Sequence, residues 1–291
     1  MACYLASSRR SPLSNPMPDP APTYDLSLSS NDFAAWKGSP RRSLVICSHP
    51  RSGSTMLGEA IHFAGGLGCP LEYFHRGFRP YFAARWDALD FDSYVAAAHR
   101  WRTDPSGVFS VKLFWQDVEE LAHERAPDRF PAPNSALPGD NKDELYRSYH
   151  ALLAEFLPTP TLVWLTRGDI VRQAVSAAIA TQTGRWRSID DARRIEPEVA
   201  AHYDYDLILK MISLGRDSMD HWERYFKAVG IAPYRLSYED MVRDYSGAIV
   251  RLLESLGRPG EVPPRRMIKQ WDSAAEAMIL RFLRDHAARQ G

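Results

Sequence analysis

The sequence predicts an α/β fold, a three-layer sandwich in which helices flank a central, mostly parallel sheet. Two observations carry this prediction. Short runs of β-branched and apolar residues, apolar on both faces as central parallel strands are, recur along the chain. Between them lie longer amphipathic segments, and the first strand runs through a loop of small residues into a helix. The length of 291 residues fits one large α/β domain or two small ones.

The predicted elements follow one another in a simple order. Strands are expected at 43–47, 108–115, 161–167 and 234–238, and helices at 56–63, 91–101, 142–157, 169–183, 205–229, 239–256 and 273–289. We expect Asp169 to cap the helix that it opens. Residues 127–141 contain four prolines and predict a loop or a lid.

The composition restricts the binding partners and the cellular compartment that we expect. Thirty-six basic residues balance thirty-six acidic ones, so no overall field favours nucleic acid or an anionic membrane. No run of 18 apolar residues occurs, which predicts no transmembrane segment. The three cysteines form neither a metal-ligand spacing nor an even framework, a pattern typical of the cytoplasm. Residues 1–42 are rich in Pro, Ser and Asp, so we predict a poorly ordered N-terminal arm and a single domain over 43–291.

The stretch from Ser48 to Thr55 predicts an anion-binding loop. Loop amides and the positive end of a helix dipole converge where a strand passes through small residues into a helix. Against the nucleotide-binding pattern G-x-x-x-x-G-K-[ST], Gly53 and Thr55 match, whereas Ser54 replaces the lysine. Arg51 offers a guanidinium instead. The fold is therefore P-loop-like, and its loop suits a terminal phosphate or phosphosulfate better than a magnesium-bound triphosphate.

Four further polar residues are candidates for the site, and two of them stand near predicted strand ends. Lys112 lies close to the end of the second strand and is costly to bury without an anionic partner, which places it at the ligand-binding edge or leaves it extended to solvent. Arg167 ends the third strand, and Ser176 follows nine residues later on the next helix. A guanidinium and a hydroxyl are what a second phosphate requires. Glu72 sits in an apolar and aromatic stretch, either as a structural acid or as a site acid.

Five motifs in order carry a resemblance to a known family. They are Arg-Ser-Gly-Ser-Thr from Arg51, Gly-x-Pro-x-Glu-x-Phe from Gly68, Lys-Leu-x-Trp from Lys112, Arg-x-Asp-x-Val-x-Gln-Ala-Val-Ser from Arg167, and Gln-Thr-x-x-Trp from Gln182. From about Ser43 to about Asp285, the chain resembles the sulfotransferases that use 3′-phosphoadenosine 5′-phosphosulfate (PAPS). It is most similar to the bacterial trehalose 2-sulfotransferase family.

The resemblance implies a role for each candidate residue. Arg51, Ser52, Gly53, Ser54 and Thr55 would bind the 5′-phosphosulfate. Arg167 and Ser176 would bind the 3′-phosphate, and Tyr238 would lie near the adenine, although a core tyrosine on a strand is an equal reading. The chain lacks the Arg-Lys-Gly segment that animal relatives use for the 3′-phosphate, and Arg265, Arg266 or Lys269 are candidates to replace it.

The resemblance also implies the chemistry. Animal relatives place a histidine base where this chain has Phe114, so Glu72 would be the general base, with Lys112 and Arg51 as catalytic cations and no metal. The product would be adenosine 3′,5′-bisphosphate (PAP). The acceptor would be a saccharide or glycolipid, but Pro50 and Cys69 depart from the sugar-binding members, which leaves another lipid or small-molecule hydroxyl open. Relatives of this type are often homodimers. An atypical kinase and a non-catalytic nucleotide-binding protein remain the alternatives.

Overall fold

The computed structural model describes residues 25–134, 142–186, 200–266 and 273–290. Four strands, β1 (Arg42–Ser48), β2 (Val108–Phe114), β3 (Pro160–Thr166) and β4 (Tyr234–Ser237), form one sheet in the order β2-β1-β3-β4. Every neighbouring pair is parallel. Helices flank the sheet, and the predicted α/β class is confirmed.

The helices match most of the predicted segments. They are α1 (Ser54–Ala64), α2 (Arg79–Trp86), α3 (Phe91–Arg102), α4 (Trp115–Arg125), α5 (Lys142–Ala154), α6 (Ile170–Thr183), α7 (Tyr205–Val229), α8 (Tyr238–Arg243), α9 (Tyr245–Ser255) and α10 (Ser273–Gln290). Asp169 caps α6 by accepting from the amide of Arg172 at 3.0 Å, as predicted. The single helix predicted for 239–256 is wrong, because Asp244 ends α8 and accepts from the amide of Gly247 to start α9.

Alternating side chains of β1 supply two separate cores. Leu44 and Ile46 belong to the cluster on one face of the sheet, together with residues of α1 and α9. Val45 and Cys47 belong to the cluster on the other face, with residues of α4, α5 and α7. Because both faces are covered, the carboxyl ends of the strands are the open edge on which a ligand can bind.

The described part of the predicted arm packs on the domain. Arg102 of α3 is fully buried, donates to the carbonyl oxygens of Leu26 and Leu28 at 2.8 and 3.2 Å, and lies 3.0 Å from Asp32. Residues 25–41 therefore differ from the poorly ordered arm expected for 1–42. Carbonyl groups of this segment accept hydrogen bonds from the buried guanidinium of Arg102, which lies far along the chain. Residues 1–24 lie outside the described residues.

No helix in the four described ranges is long and apolar enough to cross a bilayer.

Candidate active site

The loop between β1 and α1 has the backbone of an anion cradle. Gly53, just before α1, has φ 90°, a conformation that glycine adopts without strain. A Cβ at Gly53 would lie only 2.7 Å from Cδ2 of Tyr238, so the tyrosine ring packs directly on the loop backbone. Ser52 is 1% exposed, and its hydroxyl has no hydrogen-bond partner within the described part of the chain. Buried polar groups are normally paired, so this hydroxyl is suited to a ligand.

Three side chains from other elements hold the carbonyl groups of the loop. The indole nitrogen of Trp222 on α7 donates to Ser48 at 3.1 Å, and the amide of Gln173 on α6 donates to Pro50 at 2.8 Å. Arg167, directly after β3, donates to the carbonyl oxygen of Arg51 at 2.9 Å. Sequence reasoning missed Gln173 and Trp222 as loop anchors. Gln173 stands inside a quoted motif, which was the available signal, whereas nothing distinguished Trp222 from a core residue.

Arg51, Arg167 and Ser176 come together at the open edge. Nε of Arg51 donates to the hydroxyl of Ser176 at 2.8 Å, and its Nη1 donates to the carbonyl oxygen of Trp186. The guanidinium of the loop arginine thus lies at the serine that the resemblance assigns to the 3′-phosphate, so the two predicted anion pockets are adjacent. The burial of Arg167 lowers the pKa of its guanidinium.

Tyr238 belongs to the same edge. It is the first residue of α8 and not a strand residue, and its partly buried side chain packs against the core cluster that contains Leu44 and Ile46. The guanidinium carbon of Arg167 lies 4.3 Å from the centre of its ring, a cation–π contact. Of the proposed replacements for the missing Arg-Lys-Gly segment, Arg266 stacks over Phe63 at 3.8 Å. Lys269 lies outside the described residues.

Glu72 and Lys112 form a buried ion pair. Nζ of Lys112 lies 2.7 Å from Oε1 of Glu72, and the two residues are 1% and 8% exposed. The backbone holds this register, because the amide of Lys112 donates to the carbonyl oxygen of Leu71 at 2.9 Å. The anionic partner expected for a buried Lys112 is therefore Glu72. The flanking aromatics Tyr73 and Phe74 are buried in the core.

A cleft of about 460 Å³ opens beside the loop. His49 and Pro50 of the loop line it, as do His75, three residues after Glu72, and Phe114, two residues after Lys112. Burial lowers the pKa of His49 to about 4, so this imidazole is neutral at pH 7. Of the two departures noted in the sequence, Pro50 lines the cleft. Cys69 is fully buried instead, 3.4 Å from a guanidinium nitrogen of Arg102.

Two curated proteins and one solved structure are similar to most of this chain. The trehalose 2-sulfotransferase of Mycolicibacterium smegmatis is 27% identical over 277 residues, which span 87% of this chain and 97% of that protein. The trehalose 2-sulfotransferase of Mycobacterium tuberculosis is 26% identical over 253 residues, 79% of this chain and 89% of that protein. A sulfotransferase structure from Alicyclobacillus acidocaldarius superposes with a TM-score of 0.43 at 14% identity, covering 85% of this chain and 93% of that one.

The profile of one protein family extends over nearly the whole described domain. It is the profile described as Stf0 sulphotransferase, and it matches residues 43–285, from β1 into α10. The stretch includes the loop, the ion pair and the Arg167 cluster. The chain therefore belongs to the Stf0 sulphotransferase family, and it is a sulfotransferase.

Proposed function

We propose that this chain moves the sulfuryl group of PAPS to a hydroxyl group of a carbohydrate acceptor, with Glu72 as general base. The observation that carries the proposal is the contact of Arg167 with the loop. A guanidinium from the end of β3 donates to the carbonyl oxygen of Arg51, whose own guanidinium donates to Ser176. One continuous edge thus offers cations, hydroxyls and loop amides to a ligand with two separated anionic groups.

The 5′-phosphosulfate would lie on the loop. Ser52 contributes a buried hydroxyl that has no protein partner in the described ranges, and α1 directs its N-terminal amides, beginning with Ser54 and Thr55, at the same point. Gly53 leaves room for Tyr238, since a Cβ there would collide with the ring. These residues fit the donor without a Walker lysine.

The 3′-phosphate would lie between Arg167 and Ser176. Nε of Arg167 is buried and has no hydrogen-bond partner in the part of the chain that the structure describes. An anion there would satisfy it with a charge-assisted hydrogen bond. The ring of Tyr238, which already packs under this guanidinium, offers a face near the adenine.

The transfer needs a base and positive charge around the sulfuryl group. PAPS supplies an activated sulfuryl group, whose bond to the phosphate breaks as the acceptor oxygen bonds to sulfur, leaving PAP. Glu72 takes the proton of the acceptor hydroxyl. Lys112, whose Nζ lies 2.7 Å from that carboxylate, fixes the orientation of the base. Its side chain also runs beside α1, because its Cδ lies 3.7 Å from the position that a Cβ on Gly58 would take. The ammonium group therefore supplies positive charge near the start of the domain's first helix. Arg51 and the loop amides stabilise charge on the departing oxygens.

The acceptor class rests on the relatives and on the cleft. Both curated relatives are named for the sulfation of trehalose. The cleft beside the loop is lined by polar groups, including His49, His75 and Ser218, as a polyhydroxylated acceptor requires. Trehalose, another saccharide or the sugar of a glycolipid would fit the proposal, and the hydroxyl of a different lipid is the alternative. Cytoplasmic location and a homodimer stay predictions.

Calorimetry and isotope transfer test the proposal. Isothermal titration should show binding of PAP at least tenfold tighter than binding of ATP, because ATP lacks the 3′-phosphate that Arg167 would hold. Incubation with ³⁵S-labelled PAPS and trehalose, maltose or a glycolipid extract should give a labelled sulfate ester. Binding of ATP in preference to PAP would contradict the donor assignment.

A further inference from the structure

Asp117 and Ser218 are buried polar residues that the fold itself does not satisfy. Asp117, on the first turn of α4, is 1% exposed, and its Oδ2 accepts from the amide of Phe114 at 2.9 Å. Its Oδ1 has no partner within the described residues. Ser218, on α7, is 7% exposed, and its hydroxyl is likewise unpaired in the described ranges.

Both residues line the cleft that holds the loop residues His49 and Pro50. Buried polar atoms are normally paired, so two unpaired ones on residues that line the same cleft indicate a ligand that satisfies them. The helical hydroxyl of Ser218 does not bond back to its own helix, although serine in helices often does.

Asp117 also lies near the proposed base. Burial, and after it the charge of Glu72, raises the pKa of Asp117 well above its usual value, so Glu72 lies within electrostatic reach. A protonated Asp117 can donate as well as accept. The imidazoles of the cleft carry little charge at pH 7, because burial lowers the pKa of His49, His75 and His221.

Charge selects the kind of acceptor. The partly or fully exposed charges around the cleft have both signs, with Asp217 and Asp220 against Lys142 and Arg224. Glu119, deeper in the cleft, already accepts from the amide of Asn134 at 3.1 Å. Neither an anionic nor a cationic acceptor is favoured by this balance, whereas unpaired oxygens suit neutral hydroxyl groups.

We propose that Asp117 and Ser218 are the acceptor-binding residues of this enzyme and that they hold hydroxyl groups of a neutral, polyhydroxylated acceptor that are not themselves sulfated. This inference rests on the proposed function. It assigns acceptor specificity to the α4 and α7 residues of the cleft, and it makes these residues determinants of acceptor affinity and not of donor affinity.

A Ser218→Ala variant, with Ser43→Ala as its matched control, tests the inference. Ser43 is fully buried, and its hydroxyl is likewise unpaired in the described part of the chain. It lies near the start of β1, at the end of the strand away from the loop. The probes are ³⁵S-labelled PAPS with trehalose, maltose, sucrose or methyl α-glucoside. We expect Ser218→Ala to raise the KM for the saccharide that the wild-type protein sulfates by about tenfold, because one hydrogen bond is lost. The KM for PAPS should stay within about twofold of the wild-type value. Ser43→Ala should change neither constant.

Asp117→Asn, which keeps an oxygen for the amide of Phe114, should also raise only the saccharide KM.

Thermal denaturation supplies a second readout. Removal of an unsatisfied buried hydroxyl should not lower the Tm of either serine variant. In the presence of PAP, one fixed saccharide concentration should raise the Tm of the wild-type protein and of Ser43→Ala by the same amount, and that of Ser218→Ala by clearly less. Equal saccharide KM values for the two serine variants would overturn the inference. So would a wild-type protein that binds PAP yet sulfates none of the four saccharides, whereas failure to bind PAP would overturn the proposed function itself.

Discussion

The ammonium nitrogen of Lys112 lies 2.7 Å from Oε1 of Glu72, and the lysine side chain is 1% exposed. The pair joins β2 to the segment that follows α1, near the edge of the sheet where the loop between β1 and α1 lies. Each residue has an opposite charge beside it in place of water. The stability of the fold is therefore linked to the residue proposed as the general base.

Lys112→Met should be strongly destabilising. Removal of one member of a buried ion pair leaves the other charge uncompensated, at a cost of about 3–5 kcal/mol in the free energy of unfolding. Urea denaturation measures the loss, and Lys112→Met combined with Glu72→Gln should recover part of it. Arg79→Met is the control, since Arg79 also lies 2.7 Å from a carboxylate, that of Glu124, but near the surface. It should cost about 1 kcal/mol or less. Equal losses in the two single variants would contradict the buried-pair account.

Arg167→Ala should remove the selectivity for the 3′-phosphate. We expect the affinity for PAP to fall at least tenfold, while the affinity for AMP, which has no 3′-phosphate, changes much less. Isothermal titration with both nucleotides gives the ratio. Arg172→Ala on α6 is a suitable control, because its guanidinium is engaged with Asp169 and Glu276. An equal loss of AMP and PAP affinity in Arg167→Ala would show that the residue only supports the loop.

Gly53→Ala should impair the donor site through a specific collision. The new methyl group would meet the ring of Tyr238 at 2.7 Å, in a backbone conformation with φ 90° that alanine tolerates poorly. Gly38→Ala carries a similar φ of 79° but has nothing within 4 Å. Both variants should lose about 1 kcal/mol of stability from the backbone. Only Gly53→Ala should also weaken PAP binding in calorimetry, and normal binding would contradict the packing of Tyr238 on the loop.

The burial of His49 predicts a pH dependence of stability. Its pKa is lowered from 6.5 to about 4 in the folded chain, so between these values the unfolded chain binds a proton that the folded chain does not. The free energy of unfolding should therefore fall as the pH is lowered from about 6.5 towards 4. Denaturation of wild-type protein and of His49→Gln across this range measures the effect. The variant should show a shallower dependence, and identical slopes would place the titration elsewhere.

The strands and the donor loop were predictable because they depend on local signals. Apolar runs in the sequence located the four strands of the described sheet. Lys112 and Arg167 are polar residues at or near the ends of two of these runs, so both were expected at the same edge of the sheet. Helix α1 begins two residues earlier than predicted, at Ser54, because φ 90° at Gly53 ends the loop there. The capping of α6 by Asp169 was also visible in the sequence.

Long-range contacts were not predictable in the same way. The sequence showed that Lys112 needs an anion but not that Glu72, 40 residues earlier, provides it. No local sequence signal indicated that Arg102 would donate hydrogen bonds to the carbonyl groups of residues 26–28, or that Trp222 would donate one to the carbonyl group of Ser48. Helix α4 was missed because Trp115 reads as the continuation of an apolar strand, although Asp117 accepts from the amide of Phe114 to start a helix.

The most direct measurement is single-turnover transfer from ³⁵S-labelled PAPS by the Glu72→Gln variant, with calorimetric titration of PAP on the same preparation. Glutamine keeps the shape of the side chain and can still accept from Lys112, but it cannot take a proton. The account predicts PAP binding within about threefold of wild type, and a transfer rate lower by a factor of about 10²–10⁴. Transfer at the wild-type rate, or parallel loss of PAP binding and transfer, would contradict Glu72 as the general base.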